Sequence, residues 1–172
     1  MRQFTDLACE RGAAATWAIK FVIVAFFWQF SGFASAAGHE AVPALNLGHD
    51  GKIALRGYDP VGYFRQHSPQ KGDDTHRVIW QNATWKFASA ANQKAFLANP
   101  KKYAPSYGGY CAFAISRGLI ADADPHCWAV VSGHLYLNNN PFAQKLWEAN
   151  RRSDIQAGDQ NWQRLPKRPI SH

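Results

Sequence analysis

Residues 78–103 read VIWQNATWKFASAANQKAFLANPKKY, and this stretch decides the fold class. Val78 and Trp80 alternate, and so do Trp85 and Phe87, with Gln81-Asn82-Ala83-Thr84 between them. Period-two patterning on both sides of a polar break predicts a β-hairpin that buries its aromatic face. Asn82-Ala83-Thr84 also spells a glycosylation triplet, but in this setting it reads as the turn. Ser89 then offers a hydroxyl to cap a helix whose apolar face carries Phe96 and Leu97. Asn99-Pro100 stops that helix, and Pro100 opens a short turn bearing Tyr103. A hairpin that runs directly into a helix is an α+β arrangement.

Working outward, order is expected to begin near Ile53-Ala54-Leu55 and to run through Gly57-Tyr58-Asp59-Pro60-Val61-Gly62-Tyr63-Phe64. Gln66 to Thr75 lacks apolar residues and reads as a surface loop. Downstream of Gly108-Gly109, Tyr110 to Ile115 predicts a buried helix ending at Gly118. Trp128 to Val131 and His134 to Leu137 predict a second hairpin through Ser132-Gly133. Asn140-Pro141 starts another helix, with Phe142, Leu146 and Ala149 at helical spacing. Ser153 with Gln156 suggests a capping box for a last helix through Ile155 and Trp162. The expectation is a small single α+β domain over residues 53–165, with two β-hairpins and several short helices. Residues 37–52 read as a flexible tether and 166–172 as a loose basic tail. No internal repeat is evident.

The leader has its own pattern. Arg2, Arg11 and Lys20 precede FVIVAFFWQF at 21–30, and Ala34-Ser35-Ala36 follows as a small-x-small cleavage pattern. That arrangement predicts a secretory signal over residues 1–36, since the apolar run is shorter than the ~20 residues of a spanning helix. The alternative is an uncleaved N-terminal anchor. Export places the chain in the periplasm or outside the cell, with no stable membrane insertion once the signal is cut. The formal charge of the 172-residue chain is +7, but its basic residues are scattered, which argues against a nucleic-acid partner. Cleavage removes Cys9 and the single methionine, leaving Cys111 and Cys127 and no thioether for Cu(I). Two cysteines are too few for a disulfide scaffold, so packing must hold the core.

Three segments resemble a YHS-domain protein. They are Gly57-Tyr58-Asp59-Pro60-Val61; then Trp85-Lys86-Phe87-Ala88-Ser89 with Phe96, Pro100 and Tyr103; then Tyr107-Gly108-Gly109-Tyr110-Cys111-Ala112 with Asp124-Pro125, Trp128, Leu135-Tyr136-Leu137-Asn138 and Trp147. The third segment is similar to an exported bacterial branch, some of whose members are selenoproteins. The resemblance implies a treble-clef-like hairpin-helix core. It also implies a metal site built from one cysteine after Asp-Pro-Val and two more flanking the hairpin-to-helix junction. Here those positions are Gly62, Ala88 and Asn92, which supply no thiolate.

No replacement site stands out. Cys111, His126, Cys127 and His134 are the candidate metal ligands, with copper or zinc as the transition metal they would take. His126 and Cys127 are adjacent, so an extended segment points them apart. His39, His49, His67, His76 and the terminal His172 form no ligand spacing. Cys111 follows Gly108-Gly109 at an expected helix start, where exposed N–H groups favour a thiolate, making it a redox candidate. It could instead be a buried small hydrophobe or pair with Cys127. Asp122 and Asp124 read as turn and cap acceptors rather than an acid/base pair, and Asp59 before Pro60 likewise. No catalytic residue is assigned otherwise.

The functional expectation is an exported YHS-domain binding or accessory protein without evident catalysis, with a link to metal handling despite the missing cysteines. The alternatives are a thiol redox protein using Cys111 and a structural partner of an envelope complex. The partner is accordingly an envelope protein or a metal ion.

Overall fold

The computed structural model describes residues 41–47, 51–168 and 170. The leader, its cut after Ala36, the anchor alternative, His39, His49 and His172 lie outside these residues. None of the described helices is long and apolar enough to cross a membrane.

Alternation on Ala83, Trp85 and Phe87 builds β3 (Ala83–Phe87), whose burial alternates fully buried and half-buried. It pairs antiparallel with β2 (Asp73–Trp80) through Gln81-Asn82. Both turn residues have positive φ, at 51° and 59°, the geometry that matches strand twist in a two-residue hairpin. The Ser89 hydroxyl accepts the Asn92 N–H at 3.2 Å and caps α2 (Ala90–Ala98). Asn99 then caps α3 (Pro100–Tyr103), accepting from Lys102 N–H. The second hairpin joins β4 (Asp124–Val131) to β5 (His134–Asn138) through Ser132-Gly133, at φ 51° and 81°. Asn140 caps α5 (Pro141–Ala149), with proline in its first turn. The result is a small single-domain α+β fold.

The absence of an internal repeat, expected from the sequence, is corrected by the structure. A left-handed turn at Ala54–Gly57, the one-turn helix α1 (Gly62–Arg65), β2, β3 and α2 form one unit. A left-handed turn at Ser106–Gly109, the helix α4 (Ala112–Ser116), β4, β5 and α5 repeat it in the same order. The pairs Val78↔Trp85 and Ala129↔Tyr136 correspond at a displacement of 51 residues, and both hairpins shift register at the same place, before Arg77 and before Trp128. Asp73 accepts the Thr75 N–H and Asp124 accepts the His126 N–H, each at 2.8 Å. The ring pair Trp85–Phe96 at 5.1 Å corresponds to Tyr136–Trp147 at 5.3 Å. Only Asp73, Gln93, Lys94, Ala98 and Asn99 recur as identities across residues 73–99, so nothing in the letters announces the repeat.

The second hairpin stands between two hydrophobic clusters. Trp128, Leu135 and Leu137 join the first unit's Val61, Tyr63, Trp85, Phe87 and Phe96. Ala129 and Tyr136 face Tyr107, Tyr110, Ile115 and Trp147. The second cluster is closed by α6 (Arg151–Arg164), an element longer than its counterpart α3. Asp154 ties α6 to the end of α4 through Arg117, with a 2.6 Å ion pair in which Asp154 is buried. Gly158 lets α6 approach closely, because a Cβ there would lie 2.7 Å from the Tyr107 hydroxyl.

Three boundaries differ from expectation. Part of the expected tether is packed: Leu45 and Leu47 are buried, and β1 (Val42–Pro43) pairs in parallel with β6 (Lys167–Arg168) of the expected loose tail. Val42 N–H donates to the Pro166 carbonyl at 3.0 Å, and Asn46 N–H to the Gly108 carbonyl at 2.8 Å. The alternation of Leu45 and Leu47 carried the missed signal. The last helix starts at Arg151, not after Ser153, whose hydroxyl donates back to the Asn150 carbonyl instead of capping. The expected loop over 66–75 ends earlier, since β2 already begins at Asp73.

Candidate functional site

The three positions that the resemblance assigns to thiolates meet in space, and they meet around Asp59. This carboxylate is fully buried at the turn before Pro60. Its Oδ1 accepts Val61 N–H at 2.8 Å and Gly62 N–H at 3.4 Å. Its Oδ2 accepts Ala88 N–H at 2.9 Å and the Asn92 amide at 2.7 Å. Four donors on one buried acid satisfy it and lock the first left-handed turn to the hairpin-to-helix junction. Asp59 is therefore the turn acceptor expected of it and also the hub of that junction. A cysteine placed at Gly62 would crowd Gln70, whose Cγ lies 2.9 Å from the new Cβ.

Cys111 occupies the equivalent place in the second unit. Asp59 N–H donates to the Gln70 carbonyl and Cys111 N–H to the Ala121 carbonyl. Ala88 N–H reaches Asp59, and its counterpart Asn139 N–H reaches the Cys111 sulfur at 3.3 Å. A further donor in the first turn of α4, Phe113 N–H, is taken by Asn138 Oδ1 at 3.1 Å. Cys111 is a free thiol, 1% exposed, among Ala114 and Ala143. It does precede a helix, as the sequence suggests, but α4 is a single short turn sealed under side chains.

Cys111 and Cys127 are not joined, because Cys111 is free. Cys127 is buried in β4, while its neighbour His126 is exposed and stands 3.0 Å from the Tyr58 hydroxyl. His134 sits exposed at the start of β5. Among the described residues, no group of three or more His, Cys, Asp or Glu side chains is placed to hold a metal ion, so the four candidate ligands do not assemble. Asp122 lies 3.8 Å from the Arg56 guanidinium, and Asp124 serves the His126 N–H.

Sequence reasoning missed the concave surface. Against the tip of the second hairpin lies a cavity of about 480 Å³ lined by Tyr107, Val131, His134, Tyr136, Asp159 and Trp162, among others. A second cavity of about 360 Å³ shares Ser106, Tyr107, His134 and Trp162 with it and continues to Trp80 and Lys101. The two adjoin along these shared residues, and the second reaches the seam between the two units at Trp80 and Gln81. The Tyr107 hydroxyl donates to Asp159 at 2.9 Å and also lies 3.1 Å from the Ile155 carbonyl. Burial, then the hydrogen bond to Asp159, raises the Tyr107 pKa well above that of a free phenol. Burial likewise raises Tyr136. Both rings present neutral phenols at any physiological pH. Val131, His134 and Tyr136 on the second hairpin and Ile155 and Trp162 on the last helix were legible as elements beforehand, but not their convergence; Asp159 lies on a polar helix face with no signal.

No protein family, curated protein or solved structure matches the chain.

Proposed function

We propose that the chain is an exported binding or accessory module of the YHS type, without catalysis of its own. The observation that carries this reading is the groove at the seam between the units. Several aromatic rings floor it, and it lies apart from the Asp59 and Cys111 centres. Those centres use their polar atoms on their own backbone, as structural acceptors do. The thiol reading is less well supported, since a sulfur 1% exposed offers little to a substrate. The metal-handling form of the reading has no thiolate at Gly62, Ala88 or Asn92 to rest on.

Protein purified natively from the cell envelope, measured by non-denaturing mass spectrometry with elemental analysis, tests this. A bound organic ligand or partner of defined mass is expected, with copper and zinc well below one per chain. A bare chain that turns over a thiol or disulfide substrate, and loses that turnover in Cys111→Ser, would overturn the proposal in favour of redox chemistry.

A further inference from the structure

The geometry points to an organic ammonium group as the ligand of the cavity beside the second hairpin, an inference that rests on the binding-module reading above. Comparison of the two units shows why the cavity exists. In the first unit, Trp80 at the end of β2 packs on Trp85, ring centroids 5.6 Å apart, and on Phe96 at 5.7 Å. The register places Val131 at the equivalent position of the second hairpin, with Tyr136 in place of Trp85. A valine lacks the ring that covers this site in the first unit. The space beside Tyr136 stays open and is walled by α6 through Ile155, Asp159 and Trp162.

The lining then selects the ligand. Three aromatic residues, Tyr107, Tyr136 and Trp162, contribute to it, with Tyr107 standing 5.7 Å from Tyr136 and 6.2 Å from Trp162 between ring centroids. Aromatic faces carry negative quadrupole potential and attract cations within about 6 Å. Trp162 already does so on the neighbouring side, where the Lys167 ammonium stands 4.7 Å from the ring centroid. The lining of this cavity holds one carboxylate, Asp159, with His134 and no lysine or arginine, while Lys101 and Lys167 line the adjoining cavity. In a chain of formal charge +7, a lining whose titratable side chains besides the tyrosines are Asp159 and His134 alone is a departure that favours a cation. Asp159 is oriented by the Tyr107 hydroxyl, which engages Oδ1. Aromatic rings with one fixed carboxylate form the arrangement that recognises quaternary and alkylated amines.

The test is titration of the exported protein, followed by 1H–15N NMR at the Trp162 indole, with choline and with its neutral isostere 3,3-dimethyl-1-butanol. Choline is expected to bind with millimolar affinity, at least about tenfold tighter than the neutral isostere. Asp159→Asn should remove most of that preference. Val131→Trp should abolish binding, while its thermal unfolding stays close to wild type, because the first unit carries tryptophan at this position. Equal binding of the two probes, lost in Val131→Trp, would overturn the charge selection yet leave the groove as a binding site. Silence of both probes on a folded protein would overturn the ammonium assignment, while the native mass measurement decides the binding-module reading separately. If Val131→Trp unfolds, Trp162→Ala serves in its place, read at the backbone amides of Tyr107 and Asp159, and unchanged choline binding there would equally overturn the site.

Discussion

The two hairpins share strand lengths, register, bulge position and turn conformation, and they differ in what surrounds them. β2 runs along the outside, its residues exposed or half-buried, and Ile79 is 73% exposed. β5 is buried at four consecutive positions, because each of its faces meets a different hydrophobic cluster. The same backbone unit thus serves once as an outer wall and once as a central partition. What is retained is the set of local backbone bonds: turn, bulge, cap and the acceptor before the short helix. What changes is most of the side chains that those bonds carry. Asp59 and Cys111 show this most sharply, since one backbone N–H acceptor is an acid with four donors and the other a thiol with a neighbouring amide doing half the work.

The largest effect should separate these two acceptors. Asp59→Ala strands the Asn92 amide and three backbone N–H groups in the core, and it should cost roughly 3–5 kcal/mol at about 1–3 per orphaned group with partial relaxation. Cys111→Ala leaves Phe113 N–H with its Asn138 acceptor, so about 1–2 kcal/mol is expected for the small cavity and the lost contact at sulfur. Urea unfolding of both variants decides. Equal losses would mean the two units are not energetically distinct.

A second contrast lies in the left-handed turns. Arg56 and Gly108 have the corresponding conformation, φ 51° and 61°. Only at Gly108 does another backbone press in, with the Ala44 carbonyl oxygen 2.3 Å from where a Cβ would stand. Gly108→Ala should cost about 2–4 kcal/mol, more than the ~1–2 of the conformation alone. Arg56→Gly should stay within about 1 kcal/mol of wild type. Thermal unfolding of the pair measures this, and a mild Gly108→Ala would show that residues 42–47 dock only weakly.

The smallest effect at neutral pH appears in alkali. Tyr63 in the first unit and Tyr107 in the second both have pKa values raised by burial, with nearby negative groups adding to it. In the unfolded chain they ionise near ~10. Folding is therefore favoured below that value, and this contribution is lost as pH rises past it, since the unfolded state then sheds protons the folded state keeps. Absorbance at 295 nm should show these two of the six tyrosines ionising only together with the loss of structure. Early ionisation of Tyr107 alone would mark the second unit as the looser one.

Much of the fold was legible because its signals are local. Trp85 and Phe87 reveal a strand by alternation, and Ser89, Asn99 and Asn140 reveal helix starts by cap chemistry. β5 was placed to within one residue by the Ser132-Gly133 turn, although burial on both faces erases alternation. Residues 42–47 were misread because a short segment that packs by two leucines resembles a loop until its distant partners are known. The repeat was invisible because its conserved content is backbone geometry, which Gln81-Asn82 and Ser132-Gly133 achieve with different letters. The groove depends on Asp159 and Tyr107, 52 residues apart and joined only by the approach of α6 over Gly158. No spacing rule reports such a contact.

The parallel clasp of β1 and β6 has a mechanical meaning. A force drawing the chain apart acts on the N-terminal end of β1 and the C-terminal end of β6. In a parallel pair these are opposite ends, so the bonds from Val42 and Ala44 to Pro166 and Arg168 are loaded together, in shear, and not one after another. A short clasp then resists pulling better than its length suggests, and both units stay out of the load path until it slips.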